Sequence, residues 1–400
     1  MNWLLKSQKF SSLNNMWIWQ LLSLCGVILF HALGLNPIYR ACLYINVALV
    51  MYFFIKQKNT FSFDSLKIFN PALLLLVSFF LINIIALNKL AWDKELSRLI
   101  YVIFFCVGIW LQALYNREFI TQYIKEIVIG IALLYIAIQC CSILILKTHF
   151  GTLKNPHYLA QYSMLLIPIF FFFLQSENTK FKLAVFGLLA CVIGLLLHTN
   201  SRPAWLSLML TTLIMSHYQK HKLKAFSGAI IIILLLWISD IGNFSDQLSM
   251  LFNQITTEER VYIWSDIWNL QLQSTVKQWL FGHGLNGYES KFTHFGDLKL
   301  GGTATFNSPH NFLLEIVYIA GLLGFICMMT FYFILYRKLF QAFANSDEFK
   351  NLIFLMISIL TMNLLFVSIT VPIFSSYHLL ITALVCGAFA YMQQSNRVFK

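Results

Sequence analysis

Residues 308–336 read SPHNFLLEIVYIAGLLGFICMMTFYFILY. From Asn311 onward one charged residue, Glu315, interrupts an apolar run long enough to cross a hydrocarbon core of about 30 Å, which takes roughly 20 helical residues. Runs of this kind recur along the chain, at roughly 17–34, 38–55, 71–88, 97–115, 123–146, 159–174, 181–198, 203–217, 224–241, 311–336, 349–370 and 372–392. The segments 159–174 and 203–217 are short for a full crossing. With 59% hydrophobic and 11% charged residues, the 400-residue chain is too apolar for a soluble domain. The expected fold is an all-α polytopic membrane protein of about 12 transmembrane helices. It forms a single membrane domain over 1–400, with a large loop, 242–309, between the ninth and tenth spans.

Orientation follows from Lys and Arg. With the N-terminus inside, the inner segments hold Lys6, Lys9, Lys56, Lys58, Lys67, Arg117, Lys125, Lys180, Lys182, Lys220, Lys222, Lys224, Arg337, Lys338, Lys350, Arg397 and Lys400, 17 in all. The short outer loops hold Arg40, Lys89, Lys94, Arg98, Lys147, Lys154 and Arg202, 7 in all. Long loops cross regardless of charge, so Arg260, Lys277, Lys291 and Lys299 of 242–309 are not counted. Both termini are therefore expected inside and the long loop outside. This bias largely accounts for the net charge of +12 and makes nucleic acid a poor partner. The first span has no small-residue cleavage site behind it and reads as an uncleaved anchor. The eight cysteines all fall in apolar segments, as packing residues, and none lies in the loop, which leaves no disulfide framework or cysteine metal site there.

Polar chemistry concentrates in two places. In 242–309, Val261, Trp264, Trp268 and Leu272 recur at helical spacing, which predicts an amphipathic helix lying on the bundle or at the outer interface; anchoring is the bland reading. FGHGLNGY (281–288) follows, and Gly282, Gly284 and Gly287 mark a turn; a phosphate cradle there is a weak reading, since no strand precedes it. The second place is HTNSRPAWLSLML (198–210), where Pro203 suits the first turn of a helix and puts Arg202 at its outer lip. An arginine there is either a snorkelling side chain or an anion ligand.

In the opening stretch, Ser308 is expected to cap a helix whose first position is Pro309, placing His310 in the first turn among unpaired N–H groups. The positive end of the helix favours anions and the neutral, proton-accepting ring, so His310 reads as a general base; a structural histidine at a helix start is the alternative. Two crossings separate Arg202 from His310, so both emerge on one face, and Arg260 lies in the loop between them. Two cations beside a base suit a diphosphate leaving group and a hydroxyl nucleophile. Asp246, Glu258, Glu259, Asp266, Glu289 and Asp297 are scattered, with no close Asp-x-Asp. His283 and His294 could join His310 as metal ligands but fit solvated turns better, so neither metal nor cofactor is expected.

At these residues the chain resembles the O-antigen ligase family and its superfamily of polymerases and protein O-oligosaccharyltransferases. The matching pieces are SRPAWLSL (201–208), RVYIWSDIW (260–268) with WLFGHGLNGY (279–288), and SPHNFLLEIVYIAGLLGF (308–325), so the likeness covers mainly residues 150–330. The chain departs from the pattern at Pro203, where the ligases usually carry glycine, and GTLKNPHYLAQY (151–162) is similar to superfamily members outside the ligases. The resemblance implies a metal-independent inverting glycosyltransferase of the bacterial inner membrane. Its donor is an undecaprenyl-diphosphate-linked glycan and its acceptor a lipid A-core hydroxyl, used at the periplasmic face. It assigns donor diphosphate binding to Arg202 and Arg260 and catalysis to His310. A polymerase or a protein O-oligosaccharyltransferase would use the same donor. A transporter is the non-enzymatic alternative, although the spans carry few charges.

Overall fold

The computed structural model describes residues 11–56, 100, 103–112, 117–153, 155–174, 179–199, 201–216, 259–284, 311–346, 349–368 and 376–398. Among them the regular structure is all helical. The helices are α1 (Ser11–Ala32), α2 (Asn36–Lys56), α3 (Ile103–Gln112), α4 (Arg117–Leu144), α5 (Pro156–Phe173), α6 (Thr179–His198), α7 (Arg202–Ser216), α8 (Glu259–Leu272), α9 (Val276–Phe281), α10 (Phe312–Asn345), α11 (Lys350–Val367) and α12 (Ser376–Val398). Ten of the twelve expected spans coincide wholly or in part with one of these; 71–88 and 224–241 lie outside the described residues.

Six of the helices are long and apolar enough to cross a bilayer: α2, α4 (over Tyr123–Leu144), α5, α6, α10 and α11. Apolar stretches of α1 (Met16–Ala32), α3 and α12 (His378–Phe389) are shorter. The outward faces of the long helices are greasy: Ile55 of α2 and Leu183 of α6 are each 74% exposed and Phe333 of α10 66%. Water would penalise such a surface, whereas hydrocarbon would not. A helix also satisfies its own backbone, which the interior of a membrane demands.

Helix α11 is the hub. It packs against α5, α7, α10 and α12, and buries Ile353, Met356, Ile357, Leu360, Phe366 and Val367. The largest apolar cluster extends outward from it to α4, α5, α6, α8, α10 and α12. A second cluster, with Leu24, Leu43, Phe105 and Leu379, joins α1, α2, α3 and α12. Helix association in lipid gains little from hydrophobicity and depends on close packing and on hydrogen bonds between helices.

The 34 residues of α10, about 51 Å at 1.5 Å per residue, exceed what a bilayer requires. Its helical geometry is interrupted at Gly321 (φ 67°, ψ −172°), a region of conformational space that belongs almost wholly to glycine. The part after the break is long enough to cross alone, so the first turns, Phe312–Ala320, are released to serve another purpose. They receive the α8–α9 hairpin, which packs on α10 through both of its helices.

Candidate functional site

At one end of the bundle a group of polar residues comes together. The starts of α5, α7, α10 and α12 and the finish of α11 meet there, linked by a series of contacts. Asn155 caps α5, its Oδ1 accepting the His157 N–H at 2.8 Å, with Pro156 at the first position. The His157 ring reaches Ser201 Oγ at 3.3 Å, and its centroid lies 6.5 Å from that of Phe366 near the end of α11. Ser201, 2% exposed, precedes α7, and Arg202 is the first residue of that helix, half-buried.

One turn deeper, buried polar groups form a chain across four helices. Gln161 Nε2 (α5) donates to Asn363 Oδ1 (α11) at 2.7 Å, and Asn363 Nδ2 donates to His378 Nδ1 (α12) at 2.9 Å. An imidazole that accepts at Nδ1 carries its proton on Nε2, which lies 2.6 Å from the Tyr332 hydroxyl (α10). Gln161, Asn363 and His378 are all 0% exposed. Such bonds between helices contribute about 0.6–2 kcal/mol each in a membrane. The Phe312 ring, in the first turn of α10, packs 6.2 Å from His378. Arg202 is thus joined to the start of α10 through Ser201, His157, α11 and His378.

The start of α10 differs from the expectation. Asn311, not Ser308, is the cap: its Oδ1 accepts from the N–H groups of Leu313 (3.0 Å) and Leu314 (3.1 Å). The helix therefore begins at Phe312 rather than Pro309, and His310 precedes the cap instead of occupying the first turn. The physical reason is local: asparagine is among the strongest capping residues, and here it satisfies two orphan donors at once. Those N–H groups are accordingly committed to Asn311. His310 itself, with Ser308 and Pro309, lies outside the described residues. Glu315, 3% exposed, sits in the first turn of α10, where the helix dipole favours a carboxylate.

The amphipathic helix exists as α8, and Trp264 of the expected stripe packs half-buried against the core, but the most buried face is set one position away. Ile263, Ile267 and Gln271 are each 1% exposed, whereas Trp268 and Leu272 are 46% and 58% exposed. Compact isoleucines fit the close approach to α10; Trp268 instead meets Trp279 of α9 edge-on, 6.2 Å between centroids. Arg260 is the second residue of α8, three positions before Ile263, on an element that packs on α10.

The glycine turn after α9 is a latch rather than a cradle. The N–H groups of His283 and Gly284 donate to the carbonyls of Tyr318 and Ile319, each at 2.9 Å, beside the break in α10. A Cβ on Gly282 would stand 2.1 Å from the Ile319 oxygen, and one on Gly321 would stand 2.4 Å from the Leu280 oxygen. Two backbones therefore touch where only glycine fits on either side. The His283 ring stacks on Tyr318 (4.3 Å, 18°) with Nε2 2.7 Å from Ser274 Oγ. Since these amides are occupied, the segment His283–Gly284 is not a phosphate cradle; Gly287 and His294 lie outside the described residues.

The structure thus describes Arg202 fully and Arg260 by its place in α8. It adds four residues that the sequence reading passed over: His157, Gln161, Asn363 and His378. A signal for the first two was present in NPHYLAQY, where a cap, a proline and two polar residues four apart interrupt an apolar face.

Compared with protein families, residues 186–329 match the model described as Wzy_C, O-antigen ligase. The matched segment runs from within α6 through α7, α8 and α9 to the middle of α10, and contains Arg202, Arg260 and His310. Among curated proteins no match is found. Through this segment the chain, a multi-pass membrane protein of apolar helices, is similar to the O-antigen ligase family.

Proposed function

We propose that the protein is an O-antigen ligase, an inverting glycosyltransferase that moves a glycan from an undecaprenyl-diphosphate-linked donor to a lipid A-core hydroxyl at the periplasmic face of the bacterial inner membrane. The observation that carries this reading is the coincidence of the matched segment, 186–329, with the two arginines and the histidine that the chemistry needs. The meeting of the α5, α7, α10 and α12 starts at one end of the bundle supports a single site.

In this mechanism Arg202 and Arg260 hold the donor diphosphate and stabilise the charge that grows as the bond from the anomeric carbon to phosphate oxygen breaks. The acceptor hydroxyl attacks that carbon from the opposite side, and its proton passes to the neutral ring of His310. The lipid diphosphate leaves as an anion paired with the arginines, so no divalent cation is required. Both termini are cytoplasmic and 242–309 is periplasmic, as the 17 to 7 distribution of cations favours.

The test is transfer by purified protein supplied with the lipid-diphosphate donor and lipid A-core. Glycan appearing on lipid A-core, with lipid diphosphate released, is the expected result. Lengthening of the donor glycan instead would assign a polymerase, and flux across vesicles without transfer would assign a transporter.

A further inference from the structure

We infer that His157 is a positioning residue for Arg202, acting through Ser201; this rests on the donor-binding reading of Arg202 given above. Pro203 removes a donor from the first turn of α7. A serine before a helix normally turns its hydroxyl inward, to accept an N–H from the second or third helical residue. In α7 the second residue is Pro203, which has no N–H, and the third, Ala204, already donates to the Ser201 carbonyl at 3.0 Å, as does Trp205 at 3.3 Å.

Ser201 Oγ is thereby relieved of capping and meets His157 Nδ1 at 3.3 Å. The Ser201 N–H donates to Thr199 Oγ1 at 3.3 Å, and Thr199 Oγ1 donates in turn to the Leu196 carbonyl at 2.7 Å. Every polar group of Ser201 is therefore engaged, and its side chain is tied to a different helix. The residue next in sequence is Arg202. A guanidinium that must place two N–H groups on two phosphate oxygens tolerates little drift of its backbone origin. His157 supplies the restraint that a self-capping serine would have supplied, and Asn155 with Pro156 fixes His157 in the first turn of α5. The proline at 203 and the histidine at 157 thus form one arrangement, made by residues 46 positions apart in the sequence.

The experiment measures kcat and KM for the lipid-diphosphate donor in purified variants whose melting in detergent matches the wild type. Asparagine places its amide where Nδ1 lies, and glutamine places its amide where Nε2 lies. His157→Asn should therefore retain transfer, while His157→Gln, His157→Leu and Ser201→Ala lose about tenfold in kcat/KM, the weight of one hydrogen bond. In an Arg202→Lys background, His157→Leu should cost less than about twofold more, since the group being positioned is already gone.

Near-normal transfer in His157→Leu would overturn the inference, as would retention by Gln with loss in Asn. Full additivity of His157→Leu with an impaired Arg202→Lys would overturn it while leaving the donor reading intact. Normal transfer in both Arg202→Lys and Arg202→Ala would overturn the donor reading, and this inference with it. If His157→Leu does not fold, the Asn and Gln variants decide.

Discussion

At the scale of the residue, Arg202 has a first coordinate in the described structure: it opens α7, half-buried, behind a serine whose polar groups are all engaged. A snorkelling arginine needs only its charge, whereas an arginine gripping a diphosphate needs its planar fork. Arg202→Lys is therefore expected to be severely impaired in glycan transfer and donor binding, close to Arg202→Ala, and the same pair of changes at Arg260 should behave alike. Near-normal transfer in Arg202→Lys with loss in Arg202→Ala would reduce its role to charge alone. The arginines and His310 stand out as candidates in the sequence because charged and imidazole side chains are conspicuous against apolar spans. His157, Gln161, Asn363 and His378 were not, because neutral polar residues inside a span are indistinguishable in a linear reading from ordinary packing. Only the folded bundle puts Gln161 beside Asn363, two hundred residues away in the chain.

At the scale of the element, the apolar periodicity located the helices but misjudged two details. The face of α8 turned toward α10 carries Ile263 and Ile267 rather than Trp268, because large aromatic residues satisfied the period while smaller ones suited the contact. The cap of α10 shifted from Ser308 to Asn311, since both residues can cap and the winning one is decided by which N–H groups it reaches. The break at Gly321 was hidden inside an uninterrupted apolar run; its partner, Gly282, lies in the loop, and nothing local connects them. Their contact yields a sharp expectation. Gly321→Ala forces a side chain into a glycine-only conformation against the Leu280 carbonyl, so it should lose about 1–3 kcal/mol of stability, with a lower melting midpoint in detergent and reduced transfer. Gly187→Ala, in α6 with nothing within 4 Å of the new methyl, serves as the control and should be neutral or slightly stabilising. Equal melting of the two variants would mean that the latch does not hold the α8–α9 hairpin to α10.

At the scale of the whole molecule, length, hydropathy and charge sufficed for the class of fold, because a bilayer leaves a chain few options for its backbone. The arrangement of helices around α11 was not legible, since helix order in a bundle is set by side-chain contacts that no single segment specifies. The proposed sidedness rests on the distribution of Lys and Arg, and it is open to direct labelling. Cysteines introduced at Ser245 and Ser290 in a cysteine-free variant should react with an impermeant maleimide once the outer membrane is permeabilised; reaction only after inner-membrane lysis would reverse the topology. The central claim is that one end of this bundle transfers glycan by base and cation chemistry, with His310 taking the proton and the arginines, not a metal, carrying the diphosphate. Its most direct test is the turnover of purified wild type and His310→Ala, equally well folded, with both substrates and excess EDTA. The account predicts that the wild type remains active and that His310→Ala falls by roughly 10²–10⁴-fold. Wild-type turnover by His310→Ala, or loss of wild-type activity in EDTA that Mg²⁺ or Mn²⁺ restores, would contradict it.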